Sequence, residues 1–275
     1  MLLHIRGLIH GLKPAQVTHH FPFKRKVIGL LFSLWFISGV KGTAQQSESK
    51  TGKQSYSLEI TPKLHSAGYF QYSGALFNYH PNIELSVTVN YRRLGAFITK
   101  YHDFVDSHSP VNYTTVGLYG SVQINQRVKV TPYAGYYFAQ KHSFMDKGSD
   151  LWGGLVIRLA ISNSIWIENT TLVSNLLHHT AAMALANRLN ATLMIRKFRL
   201  DTYAWYSHSM HIPLHGVSTG FAVTSPEWAL SHTVSMKLQV SFLQQVTREW
   251  PAGAHERGML VSLIVPIKCS EGREE

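Results

Sequence analysis

The chain has 275 residues, 45% of them hydrophobic and only 15% charged, with 13 Tyr, 13 Phe, 6 Trp, 20 Gly and a single cysteine. Soluble domains carry about a quarter charged residues, so this surface is short of charge for open water. Apolar and aromatic residues spread along the whole length exclude disorder, and the lone Cys269 excludes a disulfide scaffold.

The formal charge of +11 is concentrated at the start. Residues 1–44 hold Arg6, Lys13, Lys24, Arg25, Lys26 and Lys41 and no acid, which leaves +5 for the remainder. Lys24-Arg25-Lys26 precedes an apolar run at residues 27–40, followed by Lys41-Gly42-Thr43-Ala44. A basic segment, an apolar stretch of about 7–15 residues and small residues at −3 and −1 compose a secretory signal peptide. Gly42 and Ala44 fill those two positions, so residues 1–44 are expected to be a cleaved leader and residues 45–275 an exported domain. The apolar run is shorter than the ~20 residues of a spanning helix, and no later stretch reaches the ~18 that would raise one. Such a chain enters a membrane only as strands.

The remainder alternates apolar and polar residues with period two, over segments close to the ~9–11 residues of a tilted membrane strand. In chain order the predicted strands are 54–63, 82–91, 94–104, 113–124, 128–140, 150–160, 164–175, 182–195, 198–208, 215–224, 229–243 and 257–267. In the second, Ile83, Leu85, Val87, Val89 and Tyr91 oppose Glu84, Ser86, Thr88 and Asn90. In the eighth, Met183, Leu185, Leu189, Ala191, Leu193 and Ile195 oppose Arg188, Asn190 and Thr192. In the eleventh, Val234, Met236, Leu238, Val240 and Phe242 oppose Ser235, Lys237, Gln239 and Ser241.

The connections carry a second pattern. Arg92-Arg93, Asn125-Gln126-Arg127, Ile161-Ser162-Asn163, Arg196-Lys197 and Ser225-Pro226-Glu227-Trp228 are short, whereas the links at 64–81, 105–112, 141–149, 176–181, 209–214 and 244–256 are mostly longer. An even number of antiparallel strands with short turns at one end and long loops at the other is the layout of transmembrane barrels. Over residues 54–267 the chain resembles the bacterial outer-membrane β-barrel class, of small porin-like type. The resemblance implies an all-β, transmembrane antiparallel up-and-down β-barrel of about twelve strands, with short turns on the periplasmic side and outer-membrane lipid around it. Its expected role is non-enzymatic: passage of small polar solutes, or a scaffold or receptor whose outer loops meet a partner.

A secreted soluble β-barrel binding protein also alternates, but its solvent face carries charge. Here the polar face is mostly Ser, Thr, Asn, Gln, Gly and Tyr, which suits an enclosed hydrated lumen, while Tyr56, Tyr91, Trp152, Trp166 and Trp228 fall near predicted strand ends where interfacial girdles form.

On the inward parity the strands collect Glu59, Glu84, Lys129, Arg158, Glu168, Arg188, Asp201 and Lys237. Four acids against four bases can cross-pair in a ladder that braces the barrel, or can form a selectivity zone for a polar or anionic solute. Histidines cluster at predicted outer ends (His102, His108, His142, His178, His179, His208, His211, His215, His255), with no spacing that enforces a three- or four-ligand metal site. Ser209 and His211, at i and i+2, would share one face of a strand end, which opens the alternative of a lipid-modifying hydrolase with a rim Ser/His pair. With no Gly-rich phosphate loop, no paired cysteines and no basic stripe beyond the leader, no cofactor and no nucleic-acid partner are expected.

Overall fold

The computed structural model describes residues 56–70, 75–109, 111–139, 150–177, 184–209, 215–247 and 255–270. These form twelve barrel strands: β1 Tyr56–His65, β2 Asn82–Tyr91, β3 Leu94–Asp103 and β4 Tyr113–Gly120, resuming at Val122–Gln123. Next come β5 Val128–Ala139, β6 Asp150–Ala160, β7 Ile165–Ser174 and β8 Ala184–Ile195. The last are β9 Phe198–Ser209, β10 His215–Thr224, β11 Ser235–Gln245 and β12 Arg257–Ile264, resuming at Ile267–Ser270. Each strand pairs antiparallel with the next, and β12 pairs with β1 through Lys63↔Ile264 and Glu59↔Lys268. The sheet is therefore a closed up-and-down barrel without free edges.

Alternation explains why these segments close in this register. Outward positions carry Leu85, Val89, Ile98, Leu118, Ile157, Leu189, Phe221, Val240 and Met259, each more than a third exposed, while inward Thr115 and Ser262 are fully buried. A water-soluble protein would invert this arrangement; an apolar outer band around a polar interior is the transmembrane barrel pattern.

Eight of the twelve strands start on the expected residue, and the departures have local causes. The predicted strand at 229–243 begins at Ser235 instead, because residues 230–234 form a turn that folds Trp228–Ala229 back onto the start of β11. Trp228–Ala229 pairs back on Met236 and Ser235, and the Ser231 hydroxyl accepts from the Val234 N–H at 3.1 Å. The first strand is shifted from 54–63 to Tyr56–His65 with its parity kept. The last, expected unbroken over 257–267, is interrupted at Val265–Pro266, since Pro266 has no N–H for the ladder.

The largest departure lies in the first long link. Within 64–81 a hairpin forms between Gly68–Phe70 and Ala75–Asn78, and the His255 N–H reaches across to the Leu76 carbonyl at 2.8 Å.

Candidate functional site

The lumen has a filled half and an open half. Toward the long loops, inward residues of β3 to β9 build an apolar and aromatic wall of Tyr101, Tyr113, Tyr137, Trp152, Leu172, Ala186 and Trp205, with Tyr101 and Tyr113 stacked at 4.3 Å. Glycines on these strands leave room for the rings: a Cβ at Gly135 would collide with the Trp152 ring and come closer still to the Val116 carbonyl oxygen. From the inward hairpin, Phe77 packs against this wall, while Leu76 is buried with Ala67, Leu243 and Leu260 on the β11–β12 side; Tyr203 touches both groups. The hairpin thus spans the lumen between two walls. Its root is held by Asn78, whose amide donates to Asp103 at 2.9 Å and to the Ser109 hydroxyl at 3.1 Å, and by Asn82, which donates to the Ala67 carbonyl.

Beneath the hairpin lies a cavity of about 290 Å³ lined by charged and polar groups. On the β1–β2 side, Lys63 Nζ is 2.6 Å from Glu84 Oε1, and His65 lies between Glu84 at 3.5 Å and the Ser262 hydroxyl at 2.7 Å. Across the barrel on β7–β9, Arg188 pairs with Glu168 at 3.1 Å and Arg199 with Asp201 at 2.8 Å. Asp201 also accepts from the Thr192 hydroxyl at 2.5 Å and from the Asn190 amide at 3.3 Å. The Arg188 guanidinium lies 5.1 Å from the Trp205 ring centre, and its buried Nε makes no hydrogen bond among the described residues. Each side of the cavity carries matched cations and carboxylates.

At the short-turn end, Glu227 sits on the turn before β11, 2.8 Å from Lys237 and 3.8 Å from Lys268, and accepts from the Ser235 hydroxyl at 2.5 Å. The Lys237 ammonium and the Ser235 hydroxyl hold the Glu227 carboxyl down at about 2 against an ordinary 4.5.

Of the eight charged residues singled out by parity, Glu84, Glu168, Arg188 and Asp201 line this cavity. Glu59 lies nearer the short turns and accepts from the Thr61 hydroxyl at 2.9 Å. Lys237 pairs with Glu227. Lys129 is exposed and stands directly opposite Arg158, whose guanidinium stacks 4.2 Å over Trp166. Only Glu168 and Arg188 pair within the expected set. Lys63, His65, Arg199, Glu227 and Lys268 complete the other contacts; Lys63 and Arg199 share the parity of Glu59 and Asp201 and were legible on that ground, whereas Glu227 lies on a turn and Lys268 one residue past the end of the predicted last strand.

No cluster of three metal-ligating side chains occurs among the described residues. His142, His178, His179 and His211 lie outside the described residues, and so does the expected Ser209–His211 contact.

No protein-family model matches the sequence, and no curated protein matches it. Among solved structures, the chain is similar to the NanC porin, with a TM-score of 0.50 and 8% identity over 78% of this chain and 99% of that one. The KdgM porin aligns with a TM-score of 0.49 at 8% identity, over 77% of this chain and 98% of that one. At this identity the NanC likeness establishes the fold, that of an outer-membrane β-barrel.

Proposed function

We propose that the chain resides in the outer membrane and passes small polar solutes through a narrow lumen, without catalysing a reaction. The observation that carries this reading is the charge-lined cavity of about 290 Å³ inside a closed barrel whose outer face is apolar. An ion or polar solute leaving water finds there a substitute for its hydration shell in Lys63, Glu84, Glu168, Arg188, Arg199 and Asp201, which is how charged linings lower the entry barrier of a pore. Because cations and carboxylates on each side are paired, the lining favours small polar solutes of either sign over a strongly charged class.

The packing of Leu76 and Phe77 across the upper lumen supports a second reading, a closed barrel that serves as scaffold or receptor. Planar-bilayer recording of the refolded full chain separates the two. Discrete conductance steps with low ion selectivity, together with swelling of vesicles in small sugars or amino acids, support passage. A silent bilayer and unswollen vesicles, with the fold verified by heat-modifiable gel mobility, overturn it.

A further inference from the structure

We propose that the short-turn rim of the barrel is a binding site for anionic phospholipid headgroups in the leaflet that meets it. Five exposed cations crown this end: Arg92 and Arg93 between β2 and β3, Arg127 between β4 and β5, and Arg196 and Lys197 between β8 and β9. No ion pair neutralises any of the five among the described residues. Glu227, the acid carried by these turns, is taken up by Lys237 and Lys268. The rim therefore presents uncompensated positive charge.

The depth of that charge identifies the occupant. Leu94, Ile195 and Phe198, the immediate sequence neighbours of these cations, are 61%, 53% and 50% exposed. On a barrel whose outer face is an apolar band, side chains this open lie against acyl chains, so cations one residue away stand at the level of the phosphates. An acidic soluble protein would meet the charge and leave the apolar neighbours bare.

The turn formed by Tyr91, Arg92, Arg93 and Leu94 joins both chemistries on one open surface. The Arg92 guanidinium lies 5.2 Å from the Tyr91 ring centre, and Tyr91 stacks on Tyr56 at 4.7 Å. A phosphate has the two arginines to meet, and the glycerol and first methylenes have Tyr91 and Leu94.

Backbone geometry sharpens the point. Arg92 and Arg196 have φ of 56° and 57°, a conformation that two-residue hairpin turns normally assign to Asn or Gly. In both turns the chain places a pair of cations there and accepts the conformational cost.

The proposal rests on the membrane barrel and is independent of whether the lumen conducts. The full chain is refolded into nanodiscs of phosphatidylcholine with a minor fraction of phosphatidylglycerol, and the lipid retained on release is counted by native mass spectrometry. The wild type should retain phosphatidylglycerol beyond its share, less so at high salt. The variant carrying R92N, R93Q, R196N and K197Q should lose at least about fivefold of that enrichment. Asn suits both positive-φ sites, so the variant should keep its heat-modifiable mobility in neutral lipid. Equal enrichment in variant and wild type overturns the proposal, and so does no enrichment in the wild type. Retention of soluble glycerol phosphate as strong as that of the intact lipid also overturns it.

Discussion

At the scale of single residues, what distinguishes the lumen is that its charges are matched in place. Arg188 and Glu168 are 33% and 23% exposed, so neither is fully desolvated. Replacing Arg188 with Met leaves Glu168 without its cation and should cost about 1–2 kcal/mol, below the ~3–5 of a fully buried pair. Adding Glu168→Gln should recover most of that loss in urea unfolding of the refolded barrel. In bilayer recordings, Arg188→Met alone should move the permeability ratio toward cations. Glu227 gives a pH signature: its folded carboxyl titrates near 2 and its unfolded one near 4.5. The folded value is the lower, so the stabilisation is complete above the unfolded value and is lost as pH falls from about 4.5 toward 2. Glu227→Gln should flatten the acid limb of the unfolding curve, and an unchanged limb would rule this contact out as its source. Parity along a strand sorts side chains by face, and Glu84, Glu168, Arg188 and Asp201 share one cavity. It does not reveal partners, because a pair such as Lys63–Glu84 depends on how β1 and β2 align and on side-chain reach.

At the scale of elements, strands were legible and the inward hairpin was not, for one physical reason. A strand announces itself by a two-residue period that each local segment carries alone. The hairpin at Gly68–Phe70 and Ala75–Asn78 is held by Leu243, Leu260 and the Tyr101–Trp205 wall, residues distant in sequence that become neighbours only once the barrel has closed. Leu76 and Phe77 read locally as two apolar residues in a long link. Their truncation is the direct test of what the hairpin does. Leu76→Ala removes a fully enclosed side chain, a change that costs about 2–5 kcal/mol in a packed core. Because the hairpin sits inside the barrel without forming part of its wall, that loss should appear as undocking, with the barrel intact. Leu76→Ala combined with Phe77→Ala should therefore raise single-channel conductance severalfold and leave heat-modifiable mobility unchanged. Conductance equal to wild type would show that the hairpin does not set the constriction. Gly135→Val is the contrasting change, since its side chain collides with Trp152 in the wall, and it should abolish the folded band.

At the scale of the whole molecule, a mean hydropathy of −0.05 describes a soluble protein poorly and a helical membrane protein no better. Lipid-facing and lumen-facing residues alternate along every strand, so the average cancels while the two surfaces stay opposite in kind. This makes neighbouring positions differ sharply in what they tolerate, and β8 offers the cleanest comparison. Arg188 faces the lumen and is at home beside Glu168, whereas Leu189, the next residue, is 51% exposed on the outer face. Leu189 pairs with Asn169 on one side and Ala204 on the other, in the middle of the strand. An arginine at position 189 would meet acyl chains near the bilayer midplane, where it costs about 2–4 kcal/mol. On a water-soluble β-barrel the same substitution on an exposed outer face would be within about 0.5 kcal/mol of neutral. Leu189→Arg, refolded into phosphatidylcholine vesicles and followed by urea titration of the heat-modifiable band, should lose stability in the membrane range. A loss within the surface range would mean that the outer face of β8 does not meet lipid, and the membrane assignment of the barrel would fall with it.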